Sequence, residues 1–348
     1  MKLYKQLSLC MLFVVLLIVT SCNGKKDQQK EYFEESGTVF HTFYHIKYEA
    51  EKPLTDSIAV EFEKFNNSLN PFKPTSIISK VNRNEPVVLD EWFTDVFLKA
   101  QEVSRNTNGV FDITCAPLVN AWGFGFSKMD SVTPQLIDSL KQYVGYQKIE
   151  LKDGQITKEN PGIILNTSAI AKGYASDVIA DLLVRNGVSN YMVEIGGEVT
   201  VNGKNPKGEC WKIGINKPED DRSESVGEIQ EVVQICKGGL ATSGNYRNFY
   251  IKNGKKYAHT IDPRTGYPSE QNILSATIIA PTCMMADAYA TAFMAMGLEQ
   301  ARIVAGIVPD IQYYIIYTDE NGDMKTDISK GMLEYLPQRK ELNTSENK

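Results

Sequence analysis

The chain has 348 residues, of which 42% are hydrophobic, 23% charged and 10% aromatic, a balance that excludes a disordered, collagen-like or polytopic membrane protein. A formal net charge of −6 and a pI near 5.4 leave no global electrostatic footprint for nucleic acid. Three histidines and the lack of any Cys-x-x-Cys pair argue against a zinc module.

Lys2 and Lys5 precede an apolar run from Leu7 to Val19. The run is shorter than the roughly 20 residues of a membrane span and suits the core of an export signal. Val19-Thr20-Ser21-Cys22 follows and resembles a bacterial lipobox. The expected organisation is a signal peptide over 1–21, a lipidated Cys22 with a polar tether to residue 36, one domain over 37–337, and a polar tail over 338–348. Lipid on Cys22 would anchor the protein to the cell envelope, with the domain on the periplasmic side. Of the cysteines beyond Cys22, Cys115 and Cys283 sit among apolar residues and read as buried thiols. An export compartment permits disulfides, but no pairing follows from the spacing.

Within the domain, Phe40 to Tyr48 reads as a strand and Thr55 to Leu69 has helical spacing. Glu91 to Asn106 reads as a helix with Trp92, Val96 and Val103 inward, and Pro134 to Tyr143 as a short helix opened by Thr133. Ile163 to Leu165 reads as a short strand, and Ala169 to Asn186 as a helix ended by Gly187. Tyr191–Ile195, Glu198–Asn202, Trp211–Asn216, Glu231–Ile235, Asn248–Lys252, Leu274–Ala280 and Ile311–Tyr317 read as strands, and Cys283 to Met296 as a strongly apolar helix. Strands and helices mix without regular alternation, so the expected class is α+β. Three hundred residues exceed one comfortable core, which suggests two interlocked lobes.

Chemistry concentrates in three segments. Cys283 to Gly297 holds one acid, Asp287, in an otherwise apolar helix, and a buried carboxylate needs a partner. Thr291 is four residues on and lies on the same helix face. A carboxylate and a hydroxyl are hard ligands that suit Mg²⁺, although a buried ion pair would explain Asp287 equally well. Ala241 to Arg247 offers Thr242, Ser243 and Gly244, useful around phosphate, and is followed by His259 and Asp262 in a loop tightened by Pro263 and Gly266. His259 is suited to proton transfer near neutrality. In Asn166 to Asp177 a strand runs into a helix whose N-terminus attracts anions, and Lys172 stands ready for a phosphate or for solvent. It is not a P-loop sequence.

Seven motifs in order, NGVFD, PLVNAWGFG, IAKGYASD, EIGGE, ATSGNYRNF, HTIDPRTGYP and ADAYAT, make the chain similar to the ApbE family of FAD:protein FMN transferases, from about Gly37 to Gly297. The resemblance implies a T-fold-like α+β architecture with FAD in a cleft between the lobes. It implies Mg²⁺-dependent transfer of FMN from FAD to a threonine or serine hydroxyl of a partner, with release of AMP. The partners it implies are subunits of Nqr- or Rnf-type redox complexes. Carried over, the metal ligands would be Asp287, Thr291 and the carbonyl of Ala169. Phe40, Phe72, Val110, Phe111, Asp112, Asn166, Lys172 and Ile261 would hold the flavin nucleotide, with Ser243 and Gly244 facing the phosphates. The catalytic residues would be His259, as the general base, and Asp262, supporting the loop. The chain departs from the family at His41, where glycine is usual, and at Asn166, Asn245, Ala290 and Phe72. Two other readings share these motifs: an FAD pyrophosphatase with water as acceptor, and a non-catalytic FAD-binding lipoprotein.

Overall fold

Eight strands form the central sheet of the computed structural model, side by side in chain order and each antiparallel to the next. They are β1 (Glu31–Val39), β2 (Thr42–Ala50), β3 (Tyr191–Ile195), β4 (Glu198–Asn202), β5 (Lys237–Gly244), β6 (Ile273–Ala280), β7 (Gln312–Thr318) and β8 (Met324–Ile328). The structure describes residues 30–124, 132–218, 228–244, 249–252, 255–258, 260–337 and 339. The sheet is thus a meander, and the chemistry rides on the long excursions between neighbouring strands.

The excursion from β2 to β3 carries α1 (Thr55–Leu69), α2 (Ile77–Asn82), α3 (Glu91–Asn106), α4 (Ala116–Ala121), α5 (Pro134–Lys141) and α6 (Ala171–Arg185). That from β6 to β7 carries α7 (Cys283–Met296) and α8 (Leu298–Ile307). Helix α6 lies on β3 and β4, α7 on β5 and β6, and the two helices pack against each other. Alternating side chains serve both faces of the sheet. In β7, Tyr313 and Ile315 join the helix-side core, while Tyr314 and Ile316 join the core of the opposite face. That opposite core is closed by the hairpin of Trp211–Asn216 with Ile229–Ile235 and by Met332 and Leu336. A third cluster of Cys115, Leu118, Trp122, Ile137, Val144 and Ile261 forms a smaller lobe around α4 and α5. Ile261 enters it from the β5–β6 excursion, so the two lobes interlock as an α+β fold.

Most expected elements stand within a residue or two of their places. Residues 31–36, read as tether, instead form most of β1, an edge strand whose exposed glutamates disguise it. Phe40 opens no strand: Phe40 and His41 make the β1–β2 turn, at φ 52° and 62°. Ile163 to Leu165 is buried but not in a sheet. Asn82 Nδ2 donates to the Leu165 carbonyl at 2.9 Å and its Oδ1 accepts the Leu165 amide at 2.8 Å, so a side chain replaces the ladder. Strands β5 and β8 and helices α2, α4 and α8 have no counterpart in the sequence reading. Cys115 and Cys283 are free and buried, as read. Trp211 pairs with Ile235, so Cys210 and Cys236 flank one rung of the hairpin, 4.5 Å apart at Cα, and form a disulfide.

Candidate active site

Helices α6 and α7 cross at Gly173. A side chain there would meet the Cys283 carbonyl oxygen at 2.3 Å and the Asp287 Cβ at 2.8 Å, so only glycine permits this approach. The same approach lets the Gly173 amide donate to Asp287 Oδ2 at 3.0 Å. Asp287 is 3% exposed. Among the described residues its other oxygen takes no hydrogen bond, so half of a buried carboxylate is held in reserve. One turn earlier Asp177 of α6 accepts the first two amides of α7, from Cys283 at 2.9 Å and Met284 at 2.8 Å, and the Thr200 hydroxyl at 2.8 Å. Thr282 caps the same helix through the Met285 amide. The α7 N-terminus is therefore saturated from within the protein rather than open to an anion. Burial pushes the Asp177 carboxyl up to about 6 against these hydrogen bonds.

Lys172, expected to face a phosphate or solvent, instead pairs with Glu198 of β4. Burial opposes its charge, but the carboxylates of Asp287 and Glu198 outweigh burial and raise its pKa. Burial pushes Glu198 up to about 7, with Lys172 pulling the other way. Three acid–base side chains, Asp287, Lys172 and Glu198, thus form one charge cluster at the α6–α7 crossing.

One turn further along α7, Thr291 meets Ser243 of β5, their hydroxyl oxygens 3.3 Å apart. Gly244, next along β5, is half-buried, and its partner across the ladder is Ser275. Ala169 lies four residues before Gly173, in the loop that leads into α6. That loop is shaped by Asn166, whose Oδ1 accepts the Ser168 amide at 2.9 Å and hydroxyl at 2.6 Å. The Asn166 amide in turn reaches the Ile113 carbonyl at 2.7 Å, tying the loop to the Val110–Asp112 stretch. Thr167 Oγ1 is buried without a hydrogen-bond partner. Among the described residues no three His, Cys, Asp or Glu side chains gather around a point, so any cation here would rely on few protein ligands.

The remaining expected flavin contacts divide. Phe40 is half-buried against Phe62 and Phe65. Phe72 is 59% exposed, and His41 meets its ring edge-on at 5.6 Å. Val110 and Phe111 are buried in the main core. Asp112 is spent on the fold: it accepts the Thr114 amide and hydroxyl and the Tyr146 amide.

Asp262 behaves likewise. It accepts the Arg264 amide at 2.9 Å and pairs with the Arg264 guanidinium at 2.8 Å. The Gly266 amide closes the turn on the Asp262 carbonyl at 2.8 Å. Trp122 Nε1 then donates to the Gly266 carbonyl at 2.8 Å, and Ile261 packs beside Trp122. Asp262 thus braces its own loop through Arg264. His259, Asn245 and Cys22 lie outside the described residues. Sequence reading missed Asp177, Glu198 and Trp122 as working parts. All three stand inside quoted motifs, but their roles depend on partners more than 20 residues away.

Comparison with known proteins agrees with this architecture. The ApbE family model matches residues 40–315. The FAD:protein FMN transferase of Vibrio cholerae is 33% identical over 316 residues, covering 88% of this chain and 92% of its own. The solved flavin transferase ApbE from Vibrio cholerae superposes with a TM-score of 0.78 at 32% identity, over 88% of this chain and all of that one. The apo flavinyl transferase ApbE of Pseudomonas stutzeri gives 0.78 at 27% identity, over 88% and 98% of the two chains. With the motifs, the crossing of α6 and α7 and these likenesses in agreement, the chain belongs to the ApbE family.

Proposed function

We propose that this protein transfers FMN from FAD to a serine or threonine hydroxyl of a partner protein and releases AMP. The observation that carries the reading is Asp287, a buried acid clamped by Gly173 with one oxygen unused, one turn from a Thr291–Ser243 hydroxyl pair. This is a hard-oxygen donor set, and with the Ala169 carbonyl it fits Mg²⁺. Mg²⁺ bound there supplies charge neutralisation for the two phosphates of FAD.

The chain's own residues do the rest. Ser243 and Gly244 line the phosphate side. Lys172 offsets part of the negative charge of Glu198 and Asp287 before substrate arrives. The acceptor oxygen attacks the FMN-side phosphorus, the P–O bond to AMP breaks, and the acceptor proton passes to a base, for which His259 is the candidate. The loop built on Asp262, Arg264 and Trp122 holds the segment that follows His259. A solved variant of the Vibrio cholerae relative carries a histidine-to-glycine change.

The proposal extends to the cell envelope. Residues 1–21 would direct export, and lipid on Cys22 would tether the domain outside the cytoplasm. The Cys210–Cys236 disulfide supports an oxidising compartment. Acceptors of the Nqr or Rnf type would meet the enzyme there. The test mixes the purified protein with FAD, Mg²⁺ and such an acceptor domain, reading acceptor mass and in-gel flavin fluorescence. An FMN adduct that vanishes with EDTA and in Asp287→Ala is the expected result. AMP release without adduct would replace transfer by hydrolysis. FAD binding with neither product would leave a carrier.

A further inference from the structure

The end of the central sheet that carries the candidate site has a second half that the reaction outlined above leaves unused. Every neighbouring pair of strands is antiparallel. The end that holds the Phe40–His41 turn, the start of β4 and the end of β5 therefore also holds the start of β6, the end of β7 and the β7–β8 turn. On this second half lies a cavity of about 610 Å³, walled by the segment before β6, the α7–α8 junction and the β7–β8 turn.

Two ties join the cavity to the site. Met296, in its wall, follows Thr291 in α7 by five residues, or about 8 Å along the helix axis. The second tie is the segment after His259. The Ser269 amide donates to the Thr260 carbonyl at 2.9 Å, and the Ser269 hydroxyl to the Ala295 carbonyl near the end of α7 at 3.0 Å. Thr260 adjoins the candidate base in the chain, and Ser269 is two residues before Gln271 of the cavity wall.

The lining says what fits. Glu299, Asp319 and Glu320 face the cavity with one cation, Arg302, which is already bound to Glu299 and Asp327. Lys325 approaches Asp319 at 3.6 Å. Glu320 is exposed and, among the described residues, has no cation within salt-bridge distance. This excess of acid disfavours phosphate, so the cavity is no extension of the dinucleotide site. Gln271 and Gln300 are exposed in its wall. A primary amide both donates and accepts, which matches the peptide groups of an extended chain. The volume is that of a ligand rather than of an ion or a water. The reaction needs one more large partner, the acceptor protein, whose hydroxyl has to reach the phosphorus while FAD fills the cleft.

We infer that this cavity seats the acceptor protein, taking an extended, non-acidic stretch of its chain beside the hydroxyl to be modified, a reading that rests on the flavin transfer proposed above.

The experiment follows adduct formation by the full chain with FAD and Mg²⁺ while the Nqr- or Rnf-type acceptor domain is varied in concentration. It compares the wild type with Gln300→Trp, which fills the cavity, and Glu320→Lys, which reverses a charge, with thermal melts to verify folding. Gln300→Trp should raise the KM for the acceptor about tenfold or more while the KM for FAD changes by less than about twofold. Glu320→Lys should raise the acceptor KM by about threefold, an effect that fades at high salt. An unchanged acceptor KM in Gln300→Trp overturns the inference and leaves flavin transfer standing. Asn321→Trp, at another exposed wall position, replaces that variant should it not fold. A loss that falls equally on FAD and acceptor also overturns it, since that marks damage to the site itself. So does an acceptor-independent dimer, seen by light scattering, that Gln300→Trp breaks, because a second copy then fills the cavity. An unchanged acceptor KM in Glu320→Lys overturns the preference for a non-acidic stretch. A wild type that makes no adduct overturns the proposed function, and this inference with it.

Discussion

Two poles of the molecule carry acids in motif positions, and they use them in opposite ways. At the α6–α7 crossing, Asp287 and Glu198 each bind the protein through one oxygen and keep the other uncommitted. In the smaller lobe, Asp262 and Asp112 spend both oxygens on nearby amides, hydroxyls or a guanidinium. An acid with both oxygens satisfied is a brace. An acid held through one oxygen can still take a further partner. Motif membership does not separate these cases, but the hydrogen-bond inventory does.

The sharpest way to break this contrast is to neutralise one acid at each pole. Asp287→Asn should lower flavin transfer by about a thousandfold or more, the several kcal/mol that a bound cation contributes, with the melting temperature nearly unchanged. Asp262→Asn should do the reverse, destabilising the fold by about 1–2 kcal/mol through the weakened Arg264 pairing and lowering transfer only about tenfold. Equal activity losses with equal stabilities would erase the distinction between the poles.

Asp177 sharpens it from the structural side, since it sits beside the α6–α7 crossing yet is fully committed. Its carboxyl is raised from 3.8 to about 6, so the folded protein holds that proton more tightly than the unfolded chain. Its favourable contribution is complete below pH 3.8 and is lost as pH rises through about 6, a swing of about 3 kcal/mol. Urea melts across pH 4–7 should show wild-type stability falling relative to Asp177→Asn over that window, and a flat difference would contradict it. A smaller effect is expected for Trp122→Phe, which keeps the ring but drops the bond to Gly266: about 1 kcal/mol of stability, read by denaturant midpoint. Smallest of all, His41→Gly should relieve a left-handed non-glycine residue and raise stability by no more than about 1 kcal/mol. A marked loss there would show that His41 packing against Phe72 outweighs the backbone strain.

Much of this was legible in the chain. The helix over Cys283–Met296 is apolar on every side, so its burial and the cost of Asp287 follow from composition alone. Thr291 shares a face with Asp287 because helical geometry requires it. The strands over 191–202 follow from alternation and a glycine pair. By contrast, β1 reads as tether because an edge strand tolerates charge, and it becomes a strand only through β2. Lys172 reads as a lysine for phosphate or for solvent because nothing nearby in sequence announces Glu198, 26 residues on.

Local spacing and residue types in order thus determined the periodic elements, the position of the buried acid Asp287 and the family. Tertiary structure alone decided the charge partner of Lys172, the capping of α7 by Asp177, the bracing roles of Asp112 and Asp262, and the dry oxygen of Glu198. The physical reason is common to all four. Whether a polar atom is satisfied is settled by neighbours brought close in space, and a chain of this length offers each atom too many candidates for local sequence to choose among.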